Sequence, residues 1–321
     1  MGCGPIRTTA GGHTSGGRVP MMPAMLMQQL LNGVVVGSVY ALFALGFTLL
    51  FGVNHIMNMA HGSVFMWGAF AGLYAVTMLD APIYVALLLG MLAGGLVSVA
   101  LDVFAFRPLR RRHAPEFSAI VSSIGADLVL LAIAQKVSNT AVMRFPFDAF
   151  PVVVYTIGGM RVQLLQLVIV GLVIAMVFGL FWYLYRTGFG QRIRCVAYSE
   201  QTSRLLGINP GPVNMQVFLI SGALAGMAGV LIGLVFNSVH FAMGEPLLLR
   251  AFAIIILGGL GSIPGALIAG LAIGIVQTLA VAYVSSGVSE AVVFIALFVV
   301  ILLRPTGLFG QSTAAMRVQR A

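Results

Sequence analysis

Apolar residues fill the chain in long runs, at 26–52, 58–79, 82–106, 117–136, 164–185, 214–236 and 263–284, with a shorter one at 289–303, and polar residues collect between them. A helical crossing of a bilayer takes about 20 apolar residues, and hydrocarbon offers the backbone no hydrogen-bond partner but itself. The pattern predicts an all-α, polytopic integral membrane protein with about eight transmembrane helices plus re-entrant or broken segments. A half-length apolar piece, 248–258, stands before the Gly-rich stretch GGLGSIPG and either spans or re-enters. The interval 137–163 carries Pro146, Pro151 and Gly158-Gly159 among aromatic and β-branched residues, which predicts a hairpin-like cap at the external mouth.

Composition narrows the class. Of 321 residues, 60% are apolar and 8% charged, against about a quarter charged in a soluble domain. That excludes a soluble globular enzyme and leaves no room for a second soluble domain. The 39 Gly are scattered among Leu, Ala and Val without a G-X-Y period, which excludes collagen-like and disordered classes. One domain is expected over 26–310. A Gly-, Thr-, Pro- and Met-rich tail over 1–25 is expected to be disordered, with Met21, Met22, Met25 and Met27 as alternative starts, and 311–321 is expected to form a C-terminal tail. Cys3 and Cys195 have neither metal-ligand nor redox spacing and read as unpaired thiols.

The net charge of +9 would suggest nucleic acid in a soluble chain. Here the positive charge concentrates in two intervals, Arg107, Arg110, Arg111 and Arg112 in one and Arg186, Arg192, Arg194 and Arg204 in the other. This is the positive-inside pattern of a lipid-embedded protein, with no nucleic-acid partner, and both intervals are expected in the cytoplasm. The two runs between them, 117–136 and 164–185, take the chain out and back to the same side. Counting back through three runs puts the N-terminus outside and the side of the C-terminus depends on whether 248–258 crosses, so the placement of both ends stays open.

Ionisable residues inside a span are expensive and mark candidate sites. Asp127 lies mid-run, where it either lines a solute path or serves as a protonated or helix-paired structural group. Lys136, the one Lys of the chain, sits at the run's end and can snorkel. Asn54, Asn58 and His61 fall at i, i+4 and i+7 and would share one helical face, either toward a cavity or toward a neighbouring helix. His55 and His61 are six apart with no carboxylate or thiolate nearby, a poor metal site. Gly259, Gly261, Ser262 and Pro264 break one apolar segment and open the next, Ser262 as cap and Pro264 in the first turn. A serine nucleophile at Ser262, with His61 or His240 as base, is the competing and weakly supported reading. No G-x-x-x-x-G-K-[ST] occurs, so the chain is not expected to hydrolyse nucleotide alone, and no catalytic residue is assigned. The stretch 221–233, with Gly222, Gly226 and Gly233, predicts close helix packing. In the loop 186–213, Ser199 caps, Glu200 and Arg204 pair at i and i+4, and Gly207 closes a short helix. That helix is either a partner-docking element or a solvated turn orienting its flanking spans.

Four pieces in order, LLNGVVVGSVYALFALGFTLLFGVNHIMNMAHGSVFMWGAF, LLGIN at Leu205 to Asn209, GGLGSIPGA at 258–266 and RPTGLFG at 304–310, resemble the branched-chain amino acid ABC transporter permease family, closest to its LivH-type subunit. The resemblance implies a multi-pass permease of the bacterial inner membrane that moves branched-chain or related amino acids. Its implied partners are a second, homologous permease, two ATP-binding subunits and a periplasmic solute-binding protein, with no cofactor in this chain because ATP is bound by the partners. It also implies coupling to the ATPases through Glu200, Arg204, Leu206 and Gly207, and gives Asn54, Asn58, His61 and Asp127 the role of translocation path. Asp127 and Tyr198-Ser199 depart from the family pattern. The competing class is an ion-coupled secondary transporter or a channel for a small polar solute, which usually needs buried acids, and Asp127 is the one read well inside a span.

Overall fold

The computed structural model describes residues 21–112, 114–146, 153–157, 160–285, 287, 289–304 and 307–309. Its helices are α1 (Met21–Asn54), α2 (His61–Leu79), α3 (Ile83–Leu101), α4 (Arg107–Arg111), α5 (Glu116–Ser138), α6 (Leu164–Arg186), α7 (Gly188–Tyr198), α8 (Glu200–Leu205), α9 (Pro210–Phe236), α10 (Gly244–Gly258), α11 (Ile263–Tyr283) and α12 (Ser289–Leu303). Strands β1 (Val154–Ile157) and β2 (Met160–Gln163) pair antiparallel before α6, inside the interval predicted as a cap. Residues 147–152 and 158–159 of that interval lie outside the described residues, as do 1–20 and 311–321 of the expected tails and Gly310 at the end of the expected domain. Helix α1 begins at Met21, within the last residues assigned to the N-terminal tail.

Among the described residues seven helices have the length and apolarity of a span: α1, α2, α3 extended through a π turn to Arg111, α5, α6, α9 and α11. Helices α10 and α12, of 15 residues each, are shorter than the about 20 that a crossing requires. The piece at 248–258 is therefore the body of a half-helix opening at Gly244. Helices α1, α9 and α2 form the centre, with 83%, 78% and 67% of their apolar windows buried, whereas α5 and α6 lie at the periphery at 17% each.

The centre is held by small residues. Helix α1 packs along α11 and α9 along α3, and these are the most extensive helix contacts of the protein. Gly274 lies against Gly37, Gly270 against Ala41, Gly94 against Gly222 and Gly226, and Gly90 against Gly226 and Val230. Without apolar solvent release to drive helices together in lipid, such close backbone approach supplies the dispersion that holds them.

Helix ends are satisfied locally. Ser262 Oγ accepts from Gly265 N at 3.2 Å and Pro264 lies in the first turn of α11, after Gly259 and Gly261 at φ of 100° and 80°. The last carbonyls of α10, left without helical donors, accept from the C-terminal segment: Leu308 N donates to Leu257 O at 2.8 Å and Phe309 N to Gly258 O at 3.1 Å. Ser262→Ala is expected to cost about 1 kcal/mol through the lost cap, read as a lower melting temperature in detergent with transport retained. Loss of all activity at unchanged melting temperature would instead support the nucleophile reading.

Candidate functional site

The polar stretch after α1 is not a continuous helix. The chain breaks at His55, in the left-handed region at φ 53°, and stays irregular until α2 opens at His61. Asn54, Asn58 and His61 consequently do not share a helical face, which corrects the spacing argument. Asn58 is fully buried, and its Oδ1 accepts from Ala60 N at 3.0 Å to fold the turn. Met59 N donates to Ser123 Oγ at 3.1 Å, tying the break to α5. His61, also fully buried, stacks on Phe43 with ring centroids 4.9 Å apart and faces Phe47 at 5.3 Å, halfway along α1. Both His61 nitrogens and Nδ2 of Asn54 and Asn58 lack a partner among the described residues. No hydrogen bond joins His61 to Ser262 among the described residues, so the two do not form a nucleophile and base pair.

A second break, 237–243, mirrors the first. Asn237 sits at φ 45°, its Oδ1 accepting from Phe145 N at 2.9 Å, and Val239 and Met143 exchange backbone hydrogen bonds of 2.9 Å beside the hairpin cap. Helix α10 then opens at Gly244 as α2 does at His61. The two openings meet: a methyl on Gly62 would lie 2.8 Å from the Gly244 carbonyl oxygen, and one on Gly244 would strike the Gly62 carbonyl.

The order α1, break, α2, α3 thus recurs as α9, break, α10, α11. Asn58-Met59-Ala60-His61-Gly62 corresponds to His240-Phe241-Ala242-Met243-Gly244, and Gly90 and Gly94 of α3 correspond to Gly270 and Gly274 of α11. The packing of α1 on α11 matches that of α9 on α3, as two-fold related repeats require. Broken helices whose N-termini meet inside an apolar bundle are a common way to build a solute site in a transporter. The sequence reading missed this repeat. Its signal is the pair of Gly-x-x-x-Gly spacings following two x-Ala-x-Gly turns.

Three cavities surround this crossing and its two faces. One, of about 230 Å³, is lined by Ser63, Asp127, Phe241, Gly244 and Glu245 at the meeting of α2, α5 and α10. Ser63 Oγ donates to Asp127 Oδ1 at 2.5 Å, so Asp127 is a hydrogen-bonded group on a cavity wall rather than a lone charge in hydrocarbon. Asn54, Asn58 and His61 line none of these three cavities. The second, about 1230 Å³, is an open cleft at the Arg-rich face, bounded by Arg107, Arg111, Glu200, Arg204, Gly207 and Asn209. Ser199 caps α8 through Thr202 N, Arg204 and Glu200 pair at 2.8 Å, and Gly207 turns the chain at φ 77°. Leu205 and Leu206 project from this charged surface, 88% and 68% exposed. Before α8 lies α7, which the sequence reading missed; its Arg192 lies over Phe189 and its Arg194 over Tyr185, so its charge is carried on aromatic faces.

The third cavity, about 230 Å³, is lined by Tyr40, Phe65, His240, Leu247, Arg250 and Glu290 among others. Arg250 lies inside the 248–258 piece, and Asp102, 2% exposed and paired with Arg110, lies at the end of α3. Asp127 is therefore not the only ionisable residue within the bundle, which is a further correction. Isolated charges within apolar runs were the available signal.

Residues 29–302 match the family described as branched-chain amino acid transport system, permease component. The chain is 32% identical to the high-affinity branched-chain amino acid transport system permease protein BraD of Pseudomonas aeruginosa, over 89% of this chain and 96% of that one. It is 31% identical to the corresponding permease protein LivH of Escherichia coli K12, again over 89% and 96%. The probable branched-chain amino acid transport permease protein LivH of Methanocaldococcus jannaschii is 27% identical over 88% and 92%.

Proposed function

The chain belongs to the branched-chain amino acid transport permease family, and from that premise we propose that it is the membrane-spanning subunit of a binding-protein-dependent, ATP-driven importer. Its solutes are branched-chain or related amino acids, and its place is the bacterial inner membrane. ATP is bound and hydrolysed by two partner subunits, a second permease chain completes the membrane unit, and a periplasmic protein delivers the solute.

The observation that carries this reading is the α8 surface. A short capped helix borders a large cleft edged with arginines and ends in two exposed leucines, Leu205 and Leu206, in a chain without a P-loop. Exposed large apolar side chains in a charged field mark a protein docking surface. Glu200, Arg204, Leu206 and Gly207 are the coupling residues: a push on α8 passes through α7 and α9, which flank it, into the bundle as rigid-body rocking. Asp127, with Ser63, supplies the polar wall of the path at the crossing of the repeats, and Asn54, Asn58 and His61 shape the break at which this crossing forms. Gly259, Gly261, Ser262 and Pro264 form the turn on which α10 and α11 hinge.

A pull-down of the tagged chain from native membranes in mild detergent, read by mass spectrometry, tests the reading. P-loop ATPases and a second polytopic chain are expected to co-purify. A chain that purifies alone after crosslinking, and takes up solute in liposomes under an ion gradient without ATP, would establish the secondary-transporter reading instead.

A further inference from the structure

Arg250 lies one and a half turns into α10, within an otherwise apolar stretch, and long cationic side chains of this kind lean toward their helix N-terminus. Its Nη1 donates to Tyr40 Oη at 3.0 Å, its Nη2 to Glu290 Oε1 at 3.0 Å, and the guanidinium lies 5.6 Å over the Tyr40 ring. Its Nε is buried with no partner among the described residues. Tyr40 is 2% exposed while the Glu290 side chain is 59% exposed, so the network runs from the bundle interior to its surface.

An ion pair that served structure alone would be sealed by apolar packing. This one is a wall of the third cavity, whose other walls include Phe65, Ile232, Phe236 and Leu247 and the polar side chains of Ser238 and His240. A neighbouring cavity of about 340 Å³ shares Tyr40 and Phe236 with it and carries the amides Asn32, Gln166 and Gln277. The third cavity thus sets one guanidinium and one carboxylate, with His240 and Ser238, over an apolar floor, beside a largely aliphatic cavity that carries several amides. A zwitterionic α-amino acid with an aliphatic side chain presents the complementary three groups, and guanidinium to carboxylate is the strongest of the pairings available to it.

We propose that this cavity binds the solute itself, an α-amino acid with an apolar side chain. The solute carboxylate takes the guanidinium of Arg250, its ammonium takes Glu290, and its side chain lies on Ile232, Phe236 and Leu247. This inference rests on the amino-acid importer reading and adds to it the residues that hold the solute.

The test is equilibrium binding of labelled L-leucine to the assembled membrane complex in lipid nanodiscs, without the periplasmic solute-binding protein. Saturable binding is expected, displaced by unlabelled leucine and not by leucinamide, which lacks the carboxylate, or 4-methylpentanoate, which lacks the ammonium. Arg250→Gln is expected to weaken leucine binding about tenfold or more, and Arg250→Lys, which keeps the charge, by much less. Glu290→Gln is expected to admit 4-methylpentanoate as a competitor, a change in selectivity that a merely structural ion pair would not produce. Should Arg250→Gln fail to fold, Glu290→Gln alone decides the matter. Absence of leucine binding by the wild type, or unchanged selectivity in Glu290→Gln, overturns the proposal. Leucine uptake by cells carrying the complete wild-type importer separates the two levels. Uptake with a failed binding test removes this cavity only, while absence of uptake removes the amino-acid reading beneath it.

Discussion

Gly226→Ala is expected to lower the melting temperature of the purified chain by about 5 °C or more, and Gly226→Leu to leave no folded material in mild detergent. Gly226 on α9 is where three helices converge. A methyl there would strike the Gly90 carbonyl and come within 3.0 Å of Gly94 Cα on α3, and Gly68 on α2 lies against Gly226 from the other side. Every obstructing atom is backbone of α3, so no side chain can rotate away, and relief requires α9 to separate from α3 while α2 closes it in from the other side. Overpacking of this kind costs about 1–3 kcal/mol and occasionally more, a large part of the about 5–15 kcal/mol that holds a typical fold. Gly125→Ala is the internal control. Nothing lies within 4 Å of a methyl at Gly125 in α5, so there the change removes only the helix penalty of glycine and should be neutral or slightly stabilising. Detergent-resolved size exclusion with intrinsic fluorescence, read over a temperature ramp, measures both. Equal melting temperatures for Gly226→Ala and wild type would refute the close three-helix contact.

The same residues show how much of the fold was legible in the sequence. The spans were, because a backbone surrounded by hydrocarbon has to close its own hydrogen bonds, and runs of about 20 apolar residues leave few alternatives. The cap at Ser262 was legible because capping is decided within four residues. The packing predicted for 221–233 followed from Gly222 and Gly226, although the partner, α3, could not be named from the sequence. What stayed hidden depended on distance along the chain. Arg250 finds Tyr40 across 210 residues and Glu290 across 40, so a charge inside an apolar piece gave no sign of its partners. The two breaks share an alanine and a glycine but replace Asn58 with His240 and His61 with Met243, so their equivalence lies in backbone placement. The stripe of Asn54, Asn58 and His61 failed because helical spacing assumes an unbroken helix, and one residue at positive φ, His55, ends it. Asp127 was legible as a carboxylate midway along its span. Its partner Ser63, 64 residues earlier, required the fold.

Leu206→Asp is expected to abolish uptake of branched-chain amino acids while leaving expression, membrane insertion and melting temperature unchanged. The reasoning turns on a separation of roles at α8. The Glu200–Arg204 pair is exposed on both sides and contributes only about 0.3 kcal/mol to the helix, so this short element owes little of its stability to its surface charges. Leu206 is 68% exposed and Leu205 88%, so neither helps to hold the permease together. Their apolar area would be stabilising only beneath a partner, which is what two exposed leucines in a charged rim point to. An aspartate at 206 adds a charge that a docked interface would have to bury, and coupling would fail without any cost to the isolated chain. Gly207→Val acts on the same joint by another route: at φ 77° a β-branched residue is strained, so the turn that aims Leu205 and Leu206 is displaced. Open space surrounds that position, which leaves the bundle untouched. Both variants are expected to assemble less ATPase in the mild-detergent pull-down and to show uptake near background. Normal uptake by Leu206→Asp, with the ATPases still bound, would show that α8 does not dock and that motion reaches the bundle elsewhere on the Arg-rich face.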